Sequence, residues 1–295
     1  MLAFKPITLE DRAWMENYLQ KDSFECMEYS FTFNYIWQDV YGYCAAEEDG
    51  FLIIMSRYPG YETYTYAGDG DISVLLPKLL QDAEERGNRF RLFSMTEKKK
   101  QEIEAAFPGK FIFTQDRDNA DYIYEAEKLQ TLAGKKLHGK RNHINRFLTK
   151  YENWRYEEIT KENIADCLQI NRLWYEGKDR SDNETAQGEI LALKRLFDSF
   201  EELQMKGAII YVDEKPAAYA VGDALNDEIF MVHFEKALTQ YDGIYALINR
   251  EFAKNAAAGF RYINRQEDIG EEGLRKAKLS YYPERLGLKI TVTLA

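Results

Sequence analysis

Three strand-type runs stand almost end to end in the second half of the chain: GAIIYVD at 207–213, AAYAVGDAL at 217–225 and EIFMVHFE at 228–235. A parallel crossover needs roughly a dozen residues or more. Gaps this short therefore force the chain back on itself, into a three-stranded antiparallel meander whose first turn is Asp213-Glu-Lys-Pro216. A helix (241–258), a strand (260–264), a helix (271–281) and a terminal strand (287–294) follow. Before the meander come a strand at 154–159, a helix capped by Thr160 that runs to about Glu176, and a helix over 185–204.

The first half repeats this order. Thr8-Leu-Glu-Asp11 reads as a capping box before a helix over 9–20. YSFTFNYIW at 29–37 alternates like a strand but sits where a helix is equally acceptable. Strands near 41–47, 51–56 and 61–67 precede a helix (71–86), a strand (89–94), a helix (96–106) and strands near 110–114 and 121–125. The halves share no residue-level identity, so the repeat is one of architecture. The reading is α/β: two like domains, 1–128 and 153–295, each a mixed, mostly antiparallel sheet flanked by helices, joined by a bridging helix within 129–152.

That bridge is chemically unlike the rest. The chain has 295 residues and a net charge of −11, yet 128–155 holds eight Lys/Arg against the single acid Glu152. The segment is +7 and leaves −18 elsewhere. Overall acidity disfavours nucleic acid, DNA included, or anionic lipid as general partners; the local island favours a phosphate-rich ligand there. If 135–151 is one helix, Leu137, Ile144, Leu148 and Tyr151 form an apolar stripe containing Arg141, and Lys136, Lys140 and His143 line its flank. Arg141 then needs either a buried carboxylate or an anionic ligand, because an unpaired buried charge costs several kcal/mol. Lys150 and Arg146 read as solvated.

With 45% apolar and 14% aromatic residues the chain can fill two cores. No apolar run approaches the roughly 20 residues of a membrane span, and MLAFKPITLEDR lacks signal-peptide features. Three scattered cysteines suit neither a disulfide framework nor a zinc site. A cytoplasmic protein without a metal is the expectation.

Two further stretches, GKKLHGKRNHINRF at 134–147 and YINRQEDIGEEGLRKAKLSYYP at 262–283, together with HFEKALTQYDGIYALINREF at 233–252, resemble the family built around the C-terminal domain of phosphatidylglycerol lysyltransferases. The segment order is likewise similar to the acyl-CoA N-acyltransferase (GNAT) fold. The resemblance implies a tandem GNAT-like protein that moves an aminoacyl group from charged tRNA to an amine or hydroxyl acceptor: a small molecule, a peptide or a lipid headgroup. It implies no resident cofactor. The membrane domain of the lysyltransferases has no counterpart in this sequence.

On that resemblance the cleft opens beside the strand EIFMVHFE. Strict alternation puts Ile229, Met231, His233 and Glu235 on one face, which makes His233 the candidate general base with Glu235 beside it; a histidine that only bonds a neighbouring strand is the competing reading. GNAT enzymes hold the CoA pyrophosphate with Q/R-x-x-G-x-G/A at a helix start. Here the stretch reads Gln240-Tyr-Asp-Gly243-Ile-Tyr245, with a tyrosine in place of the last small residue, so a donor other than acyl-CoA is expected. The alternatives are an acyl-CoA-dependent N-acyltransferase and a non-catalytic relative that binds RNA or a small anionic ligand. In the C-terminal motif, Asn264, Arg265, Glu267 and Asp268 precede a helix bearing Lys278 and Tyr281. Arg265 and Lys278 are expected to contact the donor or steady an oxyanion, and Tyr281 to protonate the leaving oxygen. The competing reading pairs Arg265 and Lys278 with Glu267 and Asp268.

Overall fold

The computed structural model describes residues 1–22, 25–58, 61–177 and 184–295. In chain order they form β1 (Lys5–Pro6), α1 (Arg12–Leu19), α2 (Phe31–Tyr41), β2 (Cys44–Glu48), β3 (Phe51–Tyr58), β4 (Tyr61–Gly68), α3 (Ile72–Glu85), β5 (Arg91–Met95), α4 (Glu97–Ala106) and β6 (Phe111–Gln115). There follow β7 (Asp121–Glu125), α5 (Ala126–Thr131), α6 (His138–Lys150), β8 (Trp154–Glu158), α7 (Ile164–Glu176), α8 (Glu184–Asp198), β9 (Lys206–Val212), β10 (Lys215–Ala224) and β11 (Ile229–Ala237). The chain ends with α9 (Ile244–Asn255), β12 (Tyr262–Asn264), α10 (Glu272–Leu279), β13 (Arg285–Gly287) and β14 (Ile290–Leu294).

Two compact units result. One comprises Met1–Asp121, Leu191–Arg195 and Gly287–Ala295; the other comprises Tyr122–Ile190 and Leu196–Leu286. Their sheets run β1-β2-β3-β4-β5-β14-β6 and β13-β7-β12-β11-β10-β9-β8. The last strand of the chain thus lies in the first sheet, between β5 and β6, and β7 lies in the second, antiparallel to β12. Sequence order placed 287–295 with the second domain and 121–128 with the first; strand pairing distributes both the other way.

Local chemistry accounts for several element ends. Asp11 accepts from the Thr8 N–H at 2.8 Å, closing the expected capping box. The ambiguous 29–37 run is helical because Ser30 caps it, its hydroxyl accepting from the Phe33 N–H at 3.0 Å. The meander turn carries positive φ at both Asp213 and Glu214, as a two-residue hairpin requires.

In the first unit β4 and β5 pair in parallel only at Tyr64 and Leu92, then diverge. The chain fills that opening itself. The Tyr29 hydroxyl donates to the Ser94 carbonyl at 3.0 Å, and the buried Lys99 ammonium bonds Asp22 at 2.9 Å and the Tyr66 carbonyl. Burial pulls the Lys99 pKa down to about 8. β14 is anchored by Lys289, 1% exposed, which meets Glu28 at 2.8 Å and Asp121 at 2.9 Å.

In the second unit the core lies between α6, α9 and one face of the sheet, with Ile144, Phe147, Leu247, Phe252, Phe230 and Val232 all buried. Each such side chain contributes about 1.5–3 kcal/mol by leaving water. Phe147 belongs to this buried side of α6, beyond the stripe read from the sequence, while Leu148 and Tyr151 are only partly covered. Among the described residues no helix is long and apolar enough to cross a membrane.

Candidate functional site

In the second unit β11 and β12 pair in parallel through Ile229–Tyr262, Phe230–Ile263 and Met231–Asn264, where β12 ends. β11 runs on to Ala237, so an opening begins beside Val232. It is bridged by side chains instead of backbone: Arg265 Nη2 donates to Glu235 Oε1 at 2.8 Å, and Asn249 Nδ2, from α9, donates to Glu235 Oε2 at 3.0 Å. Arg265 Nη1 is buried without a hydrogen-bond partner among the described residues. The guanidinium lies 5.0 Å from the Tyr281 ring centre and 5.7 Å from that of Tyr124. Burial works against the Arg265 charge, but Glu235 outweighs it and the pKa rises.

Lys140 approaches the same tyrosine from α6, its ammonium 3.9 Å from the Tyr281 ring centre. Burial, and then the charge of Arg265, lower its pKa to about 8, although Glu235 pulls the other way. Burial also raises the Tyr281 phenol, keeping it protonated. One carboxylate, one guanidinium, one amine poised near neutrality and a buried phenol therefore converge at the strand opening.

His233 does not join them. Opposite residues of a strand pair share a face: Ala218–Ala237 and Ala220–Glu235 on one side of the bulge, Gly222–Val232 and Asp223–Met231 on the other. The register shifts between Val221 and Gly222, and His233 is the extra residue. This bulge resets the alternation. Glu235 turns to the α9 face with Ala220, while His233 Nε2 meets Asp223 at 2.8 Å, and Asp223 shares the Met231 side. The expected His233–Glu235 pair is corrected accordingly. Farther along on that far face, Lys236 reaches Glu189 of α8 at 2.9 Å and lies 3.6 Å from the Trp174 ring centre of α7.

The C-terminal motif divides into contact and scaffold. Lys278 donates to the carbonyls of Arg265 (2.7 Å), Gln266 (3.1 Å) and Glu267, so its ammonium holds the loop and has no hand free for a donor or oxyanion. Asp268 accepts from Arg275 at 2.8 and 2.9 Å, from the Tyr122 hydroxyl and from the Gly270 N–H at 3.0 Å. Burial would raise its pKa; these donors hold it well below the carboxylate range. Asn264, fully buried, caps the turn by accepting from the Gln266 N–H at 2.6 Å. Arg265 pairs with Glu235, and Asp268 with Arg275.

On the basic segment the residues part company. Arg141 satisfies its charge on the carbonyls of Leu132 and Gly134 (2.9 Å), just past the end of α5, and forms no salt bridge with a described carboxylate. Lys136 is exposed, 5.2 Å from the Tyr282 ring centre. His143 Nδ1 lies 2.7 Å from Arg146, and both approach Asp242, at 3.6 and 3.4 Å. Gly243 begins α9 at φ 90°, and a Cβ there would fall 2.2 Å from the His143 carbonyl oxygen. The backbone of α6 thus occupies ground beside this helix start. Tyr245 accepts from Trp174 Nε1 at 2.6 Å.

Sequence reasoning missed Asn249 and Tyr124. Asn249 left one signal, a polar residue within the apolar stripe of α9. Tyr124 left none, because it reaches the site only through the transfer of β7 into the second sheet.

The family model described as phosphatidylglycerol lysyltransferase, C-terminal, matches residues 24–292. A crystal structure of a conserved protein of unknown function from Bacteroides thetaiotaomicron VPI-5482 is similar over 100% of both chains, with 38% identity and a TM-score of 0.95. L-PGS from Bacillus licheniformis is similar over 99% of this chain and 93% of its own, with 13% identity and a TM-score of 0.69, a likeness of fold. An uncharacterized protein of Mycoplasmoides gallisepticum is 27% identical over 169 residues, 56% of this chain and 53% of that protein. The chain spans about half the length of this curated relative. The fold of the solved neighbours is tandem and GNAT-like.

Proposed function

Because the chain belongs to the family of phosphatidylglycerol lysyltransferase C-terminal domains, we propose that its second unit transfers an aminoacyl group from charged tRNA to an amine or hydroxyl acceptor. The acceptor atom bonds to the ester carbonyl carbon and the bond to the ribose oxygen breaks. The proton lost by the acceptor passes through the Lys140 amine to the departing ribose oxygen. Arg265 Nη1, buried and without a partner among the described residues, donates to the developing oxyanion, a contact worth about 10²–10³ in rate. Glu235 and Asn249 fix the guanidinium, and Tyr281 holds Lys140. A neutral amine is the competent base, and a pKa of about 8 leaves about a tenth of Lys140 neutral at pH 7.

The observation that carries the choice of donor is the contact between Gly243 and the His143 carbonyl. A CoA pyrophosphate would need close approach to helix-start N–H groups, and α6 stands against that turn. An aminoacyl ester of RNA needs no such cradle. The acidic balance of the chain outside 128–155 fits a ligand steered to that one segment.

The test supplies pooled tRNAs charged with labelled amino acids, together with cell extract and phosphatidylglycerol vesicles. Label moving from RNA to an acceptor only with the protein present is the expected result. Transfer from acyl-CoA in place of charged tRNA would overturn the reading.

A further inference from the structure

We infer that β6 is a self-association edge: two copies of this chain pair β6 with β6, antiparallel, about a two-fold axis at Phe113. The first sheets of both copies then run on into one another. This inference is independent of the proposed transfer reaction.

Among the described residues the first sheet ends on β1 and β6, and the second on β13 and β8. An open edge offers its unpaired N–H and C=O groups to any other strand, and chains guard against this with shortness, proline or charge. β1 is two residues long, and one of them is Pro6. β13 has three residues and begins with Arg285. β8 matches β6 in length but carries Arg155, Glu157 and Glu158, with Arg155 paired to Glu157 at 2.6 Å. β6 has none of these guards. It reads FIFTQ: five residues without charge or proline, in unbroken register with β14, and with Ile112 48% exposed.

Hydrogen-bond alternation identifies the groups on the open side. The Ala295 N–H donates to the Lys110 carbonyl at 3.0 Å. Antiparallel pairing therefore turns the backbone groups of Ile112 and Thr114 toward β14 as well, and those of Phe111, Phe113 and Gln115 outward. Among the described residues β6 pairs with β14 alone, so the outward row has no ladder. Place a second copy antiparallel with Phe113 opposite Phe113, and Phe111 falls opposite Gln115 at each end. Every outward residue then meets another outward residue, each opposed pair exchanging both N–H···O bonds. Sliding either strand by two residues loses one of these pairs.

The ends of the strand single out the partner. One residue further in the same register, Lys110 of each copy stands opposite Asp116 of the other, on the face shared with Ile112 and Thr114. Asp116 is extended, with φ −114° and ψ 121°, so strand geometry reaches it. Both residues are exposed, and neither forms a salt bridge with a described residue. Opposite charges across a strand pair stabilise it, and like charges weaken it. A strand with a cation at one end, an anion at the other and no charge between is complementary to its own reverse. The register that matches most hydrogen bonds is thus the one that matches the charges, and it calls for a second copy of this chain. A contact through one short strand belongs to the small, reversible class, under about 1,200 Å².

Sedimentation velocity of the full chain, from micromolar to near-millimolar concentration, tests this. The mass of wild type should climb from 34.6 kDa toward twice that value. Gln115→Pro removes an outward N–H and leaves the ladder to β14 intact. Lys110→Glu sets like charges together at both ends. Each should raise the dissociation constant about tenfold or more, and Lys110→Glu combined with Asp116→Lys should bring it back to within a few-fold of wild type. Tm is recorded for every variant, and one that melts early is set aside in favour of the others. A wild type that stays monomeric throughout overturns the assignment. So does association that Gln115→Pro and Lys110→Glu leave unchanged, which would place the contact on another surface. Failure of the double variant to recover, at an unchanged Tm, overturns the register. If a peptide of sequence KFIFTQD binds a chain that does not self-associate, the edge takes a foreign strand and the second copy is excluded.

Discussion

Arg265 Nη2 and Glu235 Oε1 are 2.8 Å apart at the place where β12 has ended and β11 continues, and each side chain is only about a tenth exposed. The pair takes over the bridging that backbone hydrogen bonds make elsewhere in the sheet. Truncating Glu235→Ala strands a buried guanidinium, and breaking such a pair costs about 3–5 kcal/mol. Arg265→Lys keeps a charge but loses the planar fork that reaches Glu235 while leaving Nη1 to donate. Transfer by the folded fraction of Arg265→Lys should fall by about 10²-fold. Denaturation midpoints and initial rates measured together check this, and near-normal transfer by Arg265→Lys would remove the guanidinium from the mechanism.

Lys140 gives the reaction its pH dependence. Its pKa is lowered to about 8, chiefly because burial penalises the charged ammonium. The neutral, proton-accepting form therefore grows as pH climbs through 8 and is scarce below 7. Initial transfer rates should rise about tenfold per pH unit below that midpoint and level off above it. Lys140→Arg, protonated throughout, should lose both the rate and the rise. A profile flat between pH 6 and 9 would exclude the amine as base.

His233 is expected to matter to the fold and little to the chemistry. Its ring bonds Asp223 at 2.8 Å on the sheet face away from Glu235. His233→Ala should remove this buried hydrogen bond to Asp223 and lower stability by about 1–3 kcal/mol. Turnover by the folded fraction should remain within a few-fold of wild type. A loss beyond about 10²-fold with an unchanged denaturation midpoint would return the histidine to the reaction.

The bulge at His233 also marks where sequence reading stops. The order of elements was legible because apolar periodicity distinguishes helix from strand, and the meander because its gaps admit no crossover. Alternation, however, is counted at a fixed period of two, and one inserted residue sends Glu235 to the opposite face without any change in composition. Strand partners were equally hidden. β14 reads as a strand from its Val/Thr/Ile content, but its place between β5 and β6 is set by contacts far away in sequence. The basic island was visible as charge; what each residue does with its charge was not. Arg141 spends it on the carbonyls just past α5, Lys278 on a loop, and Lys140 on a tyrosine face.

The placement of β14 predicts a stability effect in the first unit. Lys289 stands just before that strand and meets two buried carboxylates, Glu28 and Asp121. Burial raises the Glu28 pKa, while Lys289 opposes the shift. Lys289→Met leaves two like charges facing each other in the interior, and the expected loss is about 3–5 kcal/mol. Urea denaturation should register it. A midpoint equal to wild type would show that β14 is held by its ladder alone.

Gly243→Ala is the sharpest test of how α6 meets α9. The residue holds φ at 90°, and a Cβ would stand 2.2 Å from the His143 carbonyl oxygen and 3.2 Å from Phe147 Cβ. The left-handed conformation costs about 1–2 kcal/mol for an L-residue, and forcing a methyl into packed backbone adds about 1–3 kcal/mol. Neither neighbour is the far end of a flexible side chain, so the strain must be relieved by α6 moving off the start of α9. Tm should fall by roughly 5–10 °C for a chain of this size. Because Lys140 rides on α6, the shift also carries its amine away from Tyr281, and transfer should drop even below the unfolding transition. If Gly243→Ala melts like wild type, the two helices do not touch at this point. The crowding that argues against a CoA donor would then vanish as well.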